Sequence, residues 1–168
     1  MFFVRSAETN SCPCCGGALE VIGSRKRKAW QSSGEPLLLV IRRLRCVRCR
    51  RIHHELPDLL VPYKRYTADS IEPVVSGEKK VAVAADDSTI RRWRSWFFEL
   101  SSYLAGCLVS IAIRFFSHLA EALPPSAGSA LQRIWHYTGS ERGWLKRVVR
   151  SVTNATLWRH TRSACLSG

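Results

Sequence analysis

Four cysteines in two close pairs are the residues of this chain best suited to chemistry. Cys12-Pro13-Cys14-Cys15-Gly16-Gly17 holds one C-x-x-C pair, and Cys46-Val47-Arg48-Cys49 holds the other. Zinc takes four ligands in a tetrahedron and suits thiolate donors. Two sulfurs separated by two residues grip one ion from a tight turn, and Gly16 and Gly17 let the backbone leave that turn with dihedrals most residues avoid. The spacing predicts a structural Zn²⁺ site made of Cys12, Cys15, Cys46 and Cys49. Cys14 is expected to stand by, because its use in place of Cys15 would give the tighter C-x-C spacing. Four thiolates leave no open coordination position, so the metal is expected to hold the fold and not to catalyse. His53 and His54, which follow the second pair, could replace a cysteine, but four cysteines already complete the shell, and the two read as polar residues of an exposed strand.

No second constellation points to catalysis. The 13 acidic residues are scattered, whereas metal-dependent strand transfer needs carboxylates converging on two ions. Cys107 or Cys165 with His118, His136 or His160 lacks any local nucleophile motif. No catalytic residue is assigned, and a transposase or nuclease activity is not expected.

The elements that must position the cysteines follow from the residues between and after them. Residues 18–30 and 37–46 read as two strands of a hairpin, with the turn in Ser32-Ser33-Gly34-Glu35-Pro36. A third short strand runs through residues 52–56. A hairpin that returns the second knuckle to the first is a zinc ribbon, and one this small is expected to draw its folding energy from the metal. The ribbon is also strongly basic. Arg25, Lys26, Arg27 and Lys28 lie on one strand, Arg42, Arg43 and Arg45 on the other, with Arg48, Arg50 and Arg51 beyond. Alternation along a strand sends these charges to both faces. The whole chain carries 26 Lys and Arg against 13 Asp and Glu, a formal net charge of +13. Such a surplus fits a polyanion, since each cation near a phosphate releases condensed counterions. Trp30, beside the run, either covers the ribbon's small apolar face or stacks on a base.

Residues 87–97 open with capping residues and then turn apolar at helical spacing. Ile90, Trp93, Phe97 and Leu100 share one side; Ser88, Arg91, Arg92 and Ser95 share the other. A basic, short-chained face near a helix N-terminus is what a recognition helix presents to base edges, and an arginine there can reach guanine. Residues 67–75 would supply a supporting helix and residues 78–85 a weak middle one, completing a helix-turn-helix over residues 63–97. Beyond it, Leu100, Leu104, Cys107, Leu108, Ile111, Phe115 and Leu119 recur as a core-facing helical stripe. A break at residues 123–128 precedes two more helices, one through Leu131, Ile134 and Trp135 and one through Trp144, Leu145, Val148, Val149 and Val152. These stripes suit a helical core or a homo-oligomer interface. The most apolar stretch, residues 103–113, falls short of the roughly 20 residues a membrane span needs. The opening Met-Phe-Phe-Val-Arg-Ser lacks an export signal, and the odd cysteine count argues against a disulfide scaffold. The chain is expected in a reducing cytoplasm, off the membrane.

Several of these segments together are familiar. Cys-Pro-x-Cys-Gly, Gly23-Ser24-Arg25-Lys26-Arg27-Lys28, Arg42-Arg43-Leu44-Arg45-Cys46 and Arg51-Ile52-His53-His54-Glu55-Leu56-Pro57-Asp58 resemble an uncharacterised family of Gram-positive bacteria. So do Val61-Pro62-Tyr63-Lys64-Arg65-Tyr66, Ser88-Thr89-Ile90-Arg91-Arg92-Trp93 and Trp158-Arg159-His160-Thr161-Arg162-Ser163-Ala164. A zinc ribbon followed by a helix-turn-helix is similar to the target-recognising front ends of insertion-sequence transposases. That resemblance implies DNA binding by analogy of architecture.

The sequence therefore predicts an α+β protein: a four-cysteine zinc ribbon (residues 1–62), a helix-turn-helix (63–97) and an α-helical core or oligomerisation region (98–168). Its expected partner is duplex DNA, as a regulator or in association with a mobile element. An RNA-binding or protein-interaction module is the alternative.

Overall fold

The computed structural model describes residues 1–5, 11–115 and 128–158, and the backbone of 164–166. Leu119, His118, His160, the side chain of Cys165, residues 123–127 of the expected break and most of the quoted tail lie outside the described residues.

Strand β3 (Pro36–Cys46) is the centre of a five-stranded sheet. Strand β2 (Leu19–Trp30) pairs antiparallel along its whole length, from Leu19 opposite Cys46 to Trp30 opposite Pro36, with a bulge between Val21 and Gly23. The other edge of β3 is shared end to end. Strand β1 (Phe2–Val4) runs parallel beside Leu39–Ile41, and β4 (Ile52–Leu56) runs antiparallel beside Arg43–Arg45. Strand β5 (Ala164–Leu166) adds in parallel to β4. The hairpin and the third strand thus fall within about a residue of their expected bounds, and the α+β expectation holds.

Alternation sorts the sheet into two faces. Val4, Ala29, Leu39, Ile41 and Leu56 point to one side, where they join a single apolar core with the helices. Helix α1 (Ala68–Val75) contributes Ile71 and Val74, α2 (Asp87–Phe115) contributes Trp93, Phe97, Leu104 and Leu108, α3 (Ala130–Thr138) contributes Ile134, and α4 (Trp144–Asn154) contributes Trp144, Leu145, Val148, Val149 and Val152. The expected apolar stripes of the C-terminal helices thus pack largely against this core, although Phe115 at the end of α2 is exposed. One face of the sheet of residues 1–62 is part of this shared core. Helix α2 also runs unbroken through residues 97 and 98, where a domain boundary was expected.

Buried polar groups tie the helices together. Glu72 of α1 accepts from the backbone N–H of Gly143 at 2.8 Å and of Leu145 at 2.9 Å, capping the first turn of α4. Asp86 caps α2: its carboxylate accepts from the Thr89 N–H at 2.7 Å and the Thr89 hydroxyl at 3.0 Å. These bonds, led by the Ser88 hydroxyl, hold the Asp86 carboxyl down at about 2.

The expected middle helix is absent. Residues 81–86 form neither helix nor strand and include a tight turn, where the Ala85 N–H donates to the Val83 carbonyl at 2.8 Å; Val81, Val83 and Ala85 pack against the core while Ala82 and Ala84 are exposed. Alternation of covered and exposed positions has a period of two, not that of a helix. The segment is pinned to the β2–β3 turn by the Ala84 N–H, which donates to the Ser32 carbonyl at 2.9 Å. Helices α1 and α2 are consequently joined by a long connection and not by the tight turn of a helix-turn-helix. By length and composition alone α2 is long and apolar enough to cross a membrane, contrary to the expectation from residues 103–113. Phe97, Phe98 and Leu100 extend the apolar stretch N-terminally past the charge of Glu99, and Leu104, Ala105, Cys107 and Leu108 lie in the shared core.

Candidate metal centre and basic surface

The two cysteine pairs sit on two turns of the same construction. In the first, the Gly16 N–H donates to the Cys12 carbonyl at 2.8 Å and the Cys12 N–H to the Gly17 carbonyl at 2.8 Å. In the second, the Arg50 N–H donates to the Cys46 carbonyl at 3.0 Å and the Cys46 N–H to the Arg51 carbonyl at 3.0 Å. Each turn needs a left-handed residue just after its second cysteine, and Gly16 (φ 70°) and Arg50 (φ 62°) fill that position. Gly17 has a different role. A Cβ there would lie 3.0 Å from Cys46 Sγ and 3.1 Å from Arg48 Cβ, so any larger residue would push the second turn back by a few tenths of an ångström.

All four sulfurs lie within 4.8 Å of one another. Cys12 Sγ is 3.6 Å from Cys49 Sγ, and Cys15 Sγ is 3.5 Å from Cys46 Sγ. Those separations are far too long for disulfides. They approach the edge of a tetrahedron of metal–sulfur bonds of about 2.3 Å, which is about 3.8 Å. The four cysteines can hold one metal ion, as their spacing predicts. Backbone donors prepare the sulfurs for it: the Cys14 N–H points to Cys12 Sγ and the Cys49 N–H to Cys46 Sγ, both at 3.4 Å. The Cys49 and Arg48 N–H groups hold the Cys46 thiol down at about 6, while burial pushes Cys12 up to about 12. The two cysteines thus respond oppositely to their surroundings, and a bound cation would favour the thiolate at both.

His53 departs from its expected exposed position. It is fully buried, on the knuckle face of β4, with Nε2 3.3 Å from Cys12 Sγ. Cys12, Cys14 and His53 form a second set of close donors. Burial first, then the charge of Arg51, lowers the His53 pKa, so the ring is neutral near pH 7. A neutral imidazole can donate Nε2–H to the thiolate and fix its orientation, as groups around metal ligands commonly do. Glu55, two residues on and on the same face, takes Arg42. The guanidinium makes a paired contact with the carboxylate through Nε to Oε2 and, at 2.7 Å, Nη2 to Oε1. Register explains it, since Arg43 lies opposite His54 and Arg42 therefore opposite Glu55. Of the arginines expected to meet nucleic acid, Arg42 thus has a buried carboxylate as its partner.

The other expected contacts divide by face. Lys26 and Lys28 are exposed on the knuckle side, and Lys28 Nζ lies 4.0 Å over the Trp30 ring. Arg25, Arg27, Arg43 and Arg45 lie on the opposite side. Burial, and after it the charges of Arg25, Arg43 and Arg27, lowers the pKa of His54 among them. Arg27 is half-buried and donates to the Lys64 carbonyl at 3.0 Å. On α2, Ser88, Arg91, Arg92 and Ser95 are all exposed, with Trp93 and Phe97 buried behind them. Arg92 lies back along its own helix, Nη2 bonding the Ser88 and Thr89 hydroxyls at 3.2 and 3.1 Å.

A groove of about 520 Å³ lies between Trp30 at the end of β2, loop residues 63–66, and Thr89, Arg92 and Trp93 of α2, and its basic residues are Lys64, Arg65 and Arg92. The loop is fastened to the end of β2, where the Trp30 N–H donates to the Arg65 carbonyl at 2.8 Å and the Thr67 N–H to the Trp30 carbonyl at 3.0 Å.

Residues 12–93 match a family model. It is that of a domain of unknown function, DUF6431. The DUF6431 match begins at the first cysteine and ends at Trp93, so it takes in both knuckles, β2 to β4, α1, the loop of the groove and the first turns of α2. No curated protein and no solved structure matches the chain. Sequence reasoning set His53 aside and missed Glu55, Asp86 and the loop at residues 63–66 as parts of the site. The first two come onto the knuckle face only through the β3–β4 register, with Leu44 opposite His53; the others depend on how the loop and α2 pack.

Proposed function

We propose that this chain is a duplex-DNA-binding protein whose sheet is closed by a structural zinc ion on Cys12, Cys15, Cys46 and Cys49. It acts as a transcriptional regulator or in association with a mobile element. Zinc is the metal that four thiolates in a tetrahedron suit best, and a closed four-sulfur shell gives it a structural role. The observation that carries the DNA reading is a cationic groove at the start of α2: Lys64, Arg65 and Arg92 line it, and Trp30, two residues beyond Lys28 on β2, stands beside Thr89 and Arg92. Exposed Lys26 and Lys28 are suited to phosphates, which position a duplex, and exposed Arg91 with Ser88 and Ser95 to base edges, which specify it. Without a tight helix-turn-helix, α2 is presented by the sheet and its loop.

Selection from a random-sequence duplex pool by the zinc-loaded protein, with a salt titration, tests this. A defined site is expected to be enriched and to survive physiological salt. Arg91→Ala is expected to relax preference at one position by about 1–3 kcal/mol, and Lys26→Ala to weaken all sequences alike and reduce the salt slope by about one. Unselective binding that vanishes with salt would turn attention to RNA or protein partners.

A further inference from the structure

The groove has a chemistry that duplex phosphates alone do not use. Its wall includes Trp30, Tyr63 and Tyr66, flat rings, together with Lys64, Arg65 and Arg92, and no carboxylate lines it. Asp86 is the acid nearest to Arg92 in its bonding network, and it is engaged by the Ser88 and Thr89 hydroxyls and the Thr89 N–H. Arg65 is exposed, and Lys64 places Nζ 4.2 Å over the Trp96 ring at the side. Tyr63 stands out. It is a non-glycine residue in the left-handed region (φ 63°), yet its side chain is 68% exposed. Strain at such a position persists only where the surroundings enforce it. Here the loop is held at both ends, by the Lys64 N–H to the Val61 carbonyl at 3.1 Å and by the Trp30–Arg65 bond. An exposed ring is thereby fixed at the mouth of a cationic groove.

We infer that the groove takes one unpaired nucleotide of the DNA, its base stacked on Tyr63 and Trp30 and its phosphate held by Arg65 and Arg92. The inference rests on the DNA reading and deepens it. Inside a duplex both faces of a base are covered by its neighbours, so aromatic walls reward only a nucleotide outside the stack. Base–aromatic stacking tolerates any base, which suits recognition of a DNA form, a bulge or a junction, alongside sequence reading by Arg91. No bond is made or broken.

The test compares the zinc-loaded full chain on a hairpin duplex and on the same duplex carrying one bulged 2-aminopurine. The bulged form is expected to bind about ten-fold tighter, with its emission quenched on binding. Tyr63→Ala is expected to abolish the preference and the quenching, and Tyr63→Trp to retain both; metal content and helical signal confirm that each variant folds. Equal affinity for the two forms, or a preference that survives Tyr63→Ala, overturns the inference while duplex binding leaves the DNA reading standing. Failure to bind either form overturns the DNA reading, and this inference with it.

Discussion

The two faces of the central sheet are held by different forces. On the helix face, Leu39, Ile41, Ala29 and Leu56 disappear into an apolar core with Trp93, Leu104 and Trp144. On the knuckle face the buried residues include Cys12, Cys46, His53 and Glu55, groups that need a cation, a proton or a hydrogen bond to be buried at all. One face is stabilised by area removed from water; the other holds only while its polar partners are complete. The basic surface is attached to both, through strand β2 and through α2, so its order depends on each.

The largest effect expected from breaking this contrast is at the metal centre. Cys46→Ser should abolish metal binding and lower the melting temperature by more than about 10 °C, as expected for a loss of several kcal/mol in a chain of this size. Because the sheet shares its core with the helices, helical circular dichroism should persist below that lower transition. Retained metal stoichiometry would sink the four-cysteine assignment, and loss of all helix on chelation would show that the knuckles hold the whole core.

The core itself should give the converse. Trp144, fully buried with its ring 5.6 Å from Phe97 and 6.1 Å from Trp135, should cost about 3–5 kcal/mol when replaced by alanine. Chemical denaturation would read that loss while metal content stays unchanged. A polar counterpart on the knuckle face is Arg42→Ala, which takes the paired guanidinium from the buried Glu55 carboxylate at a cost of about 3 kcal/mol. Arg42→Ala paired with Glu55→Leu should recover much of this, and a double variant as unstable as the single one would show that the pair is not what the substitution breaks.

The smallest effect concerns the joint between the halves. The Asp86 carboxyl is held below its usual value, so its capping contributes stability above pH 4 that is lost as the pH falls toward about 2. Asp86→Asn keeps the side-chain acceptor without the titration. The melting temperatures of the two proteins should therefore converge between pH 4 and pH 2; a constant difference would mean the cap does not depend on charge.

Much of this was legible in the sequence where local rules decide. Cysteine spacing named the ligands that cluster, and turn residues bounded β2 and β3. The register-dependent features were not legible. His53 looks exposed until β4 is placed against β3, and Arg42 looks free until Glu55 is known to lie opposite. The stretch from Val81 to Ala85 alternates apolar and exposed positions, a period-two signal that a functional motif on either side led to be read as helix. Helix α2 runs through residue 97 because nothing in Phe97-Phe98-Glu99-Leu100 stops a helix.

The central claim is that a zinc-closed sheet orders a basic surface that binds duplex DNA. It is tested most directly by titrating one duplex with zinc-loaded, chelated and zinc-restored protein at a fixed salt concentration while following helical circular dichroism. Binding that falls on chelation and returns with zinc, over an unchanged helical signal, is the predicted result. Equal binding with and without the metal, or no duplex binding by the zinc-loaded chain, would contradict it.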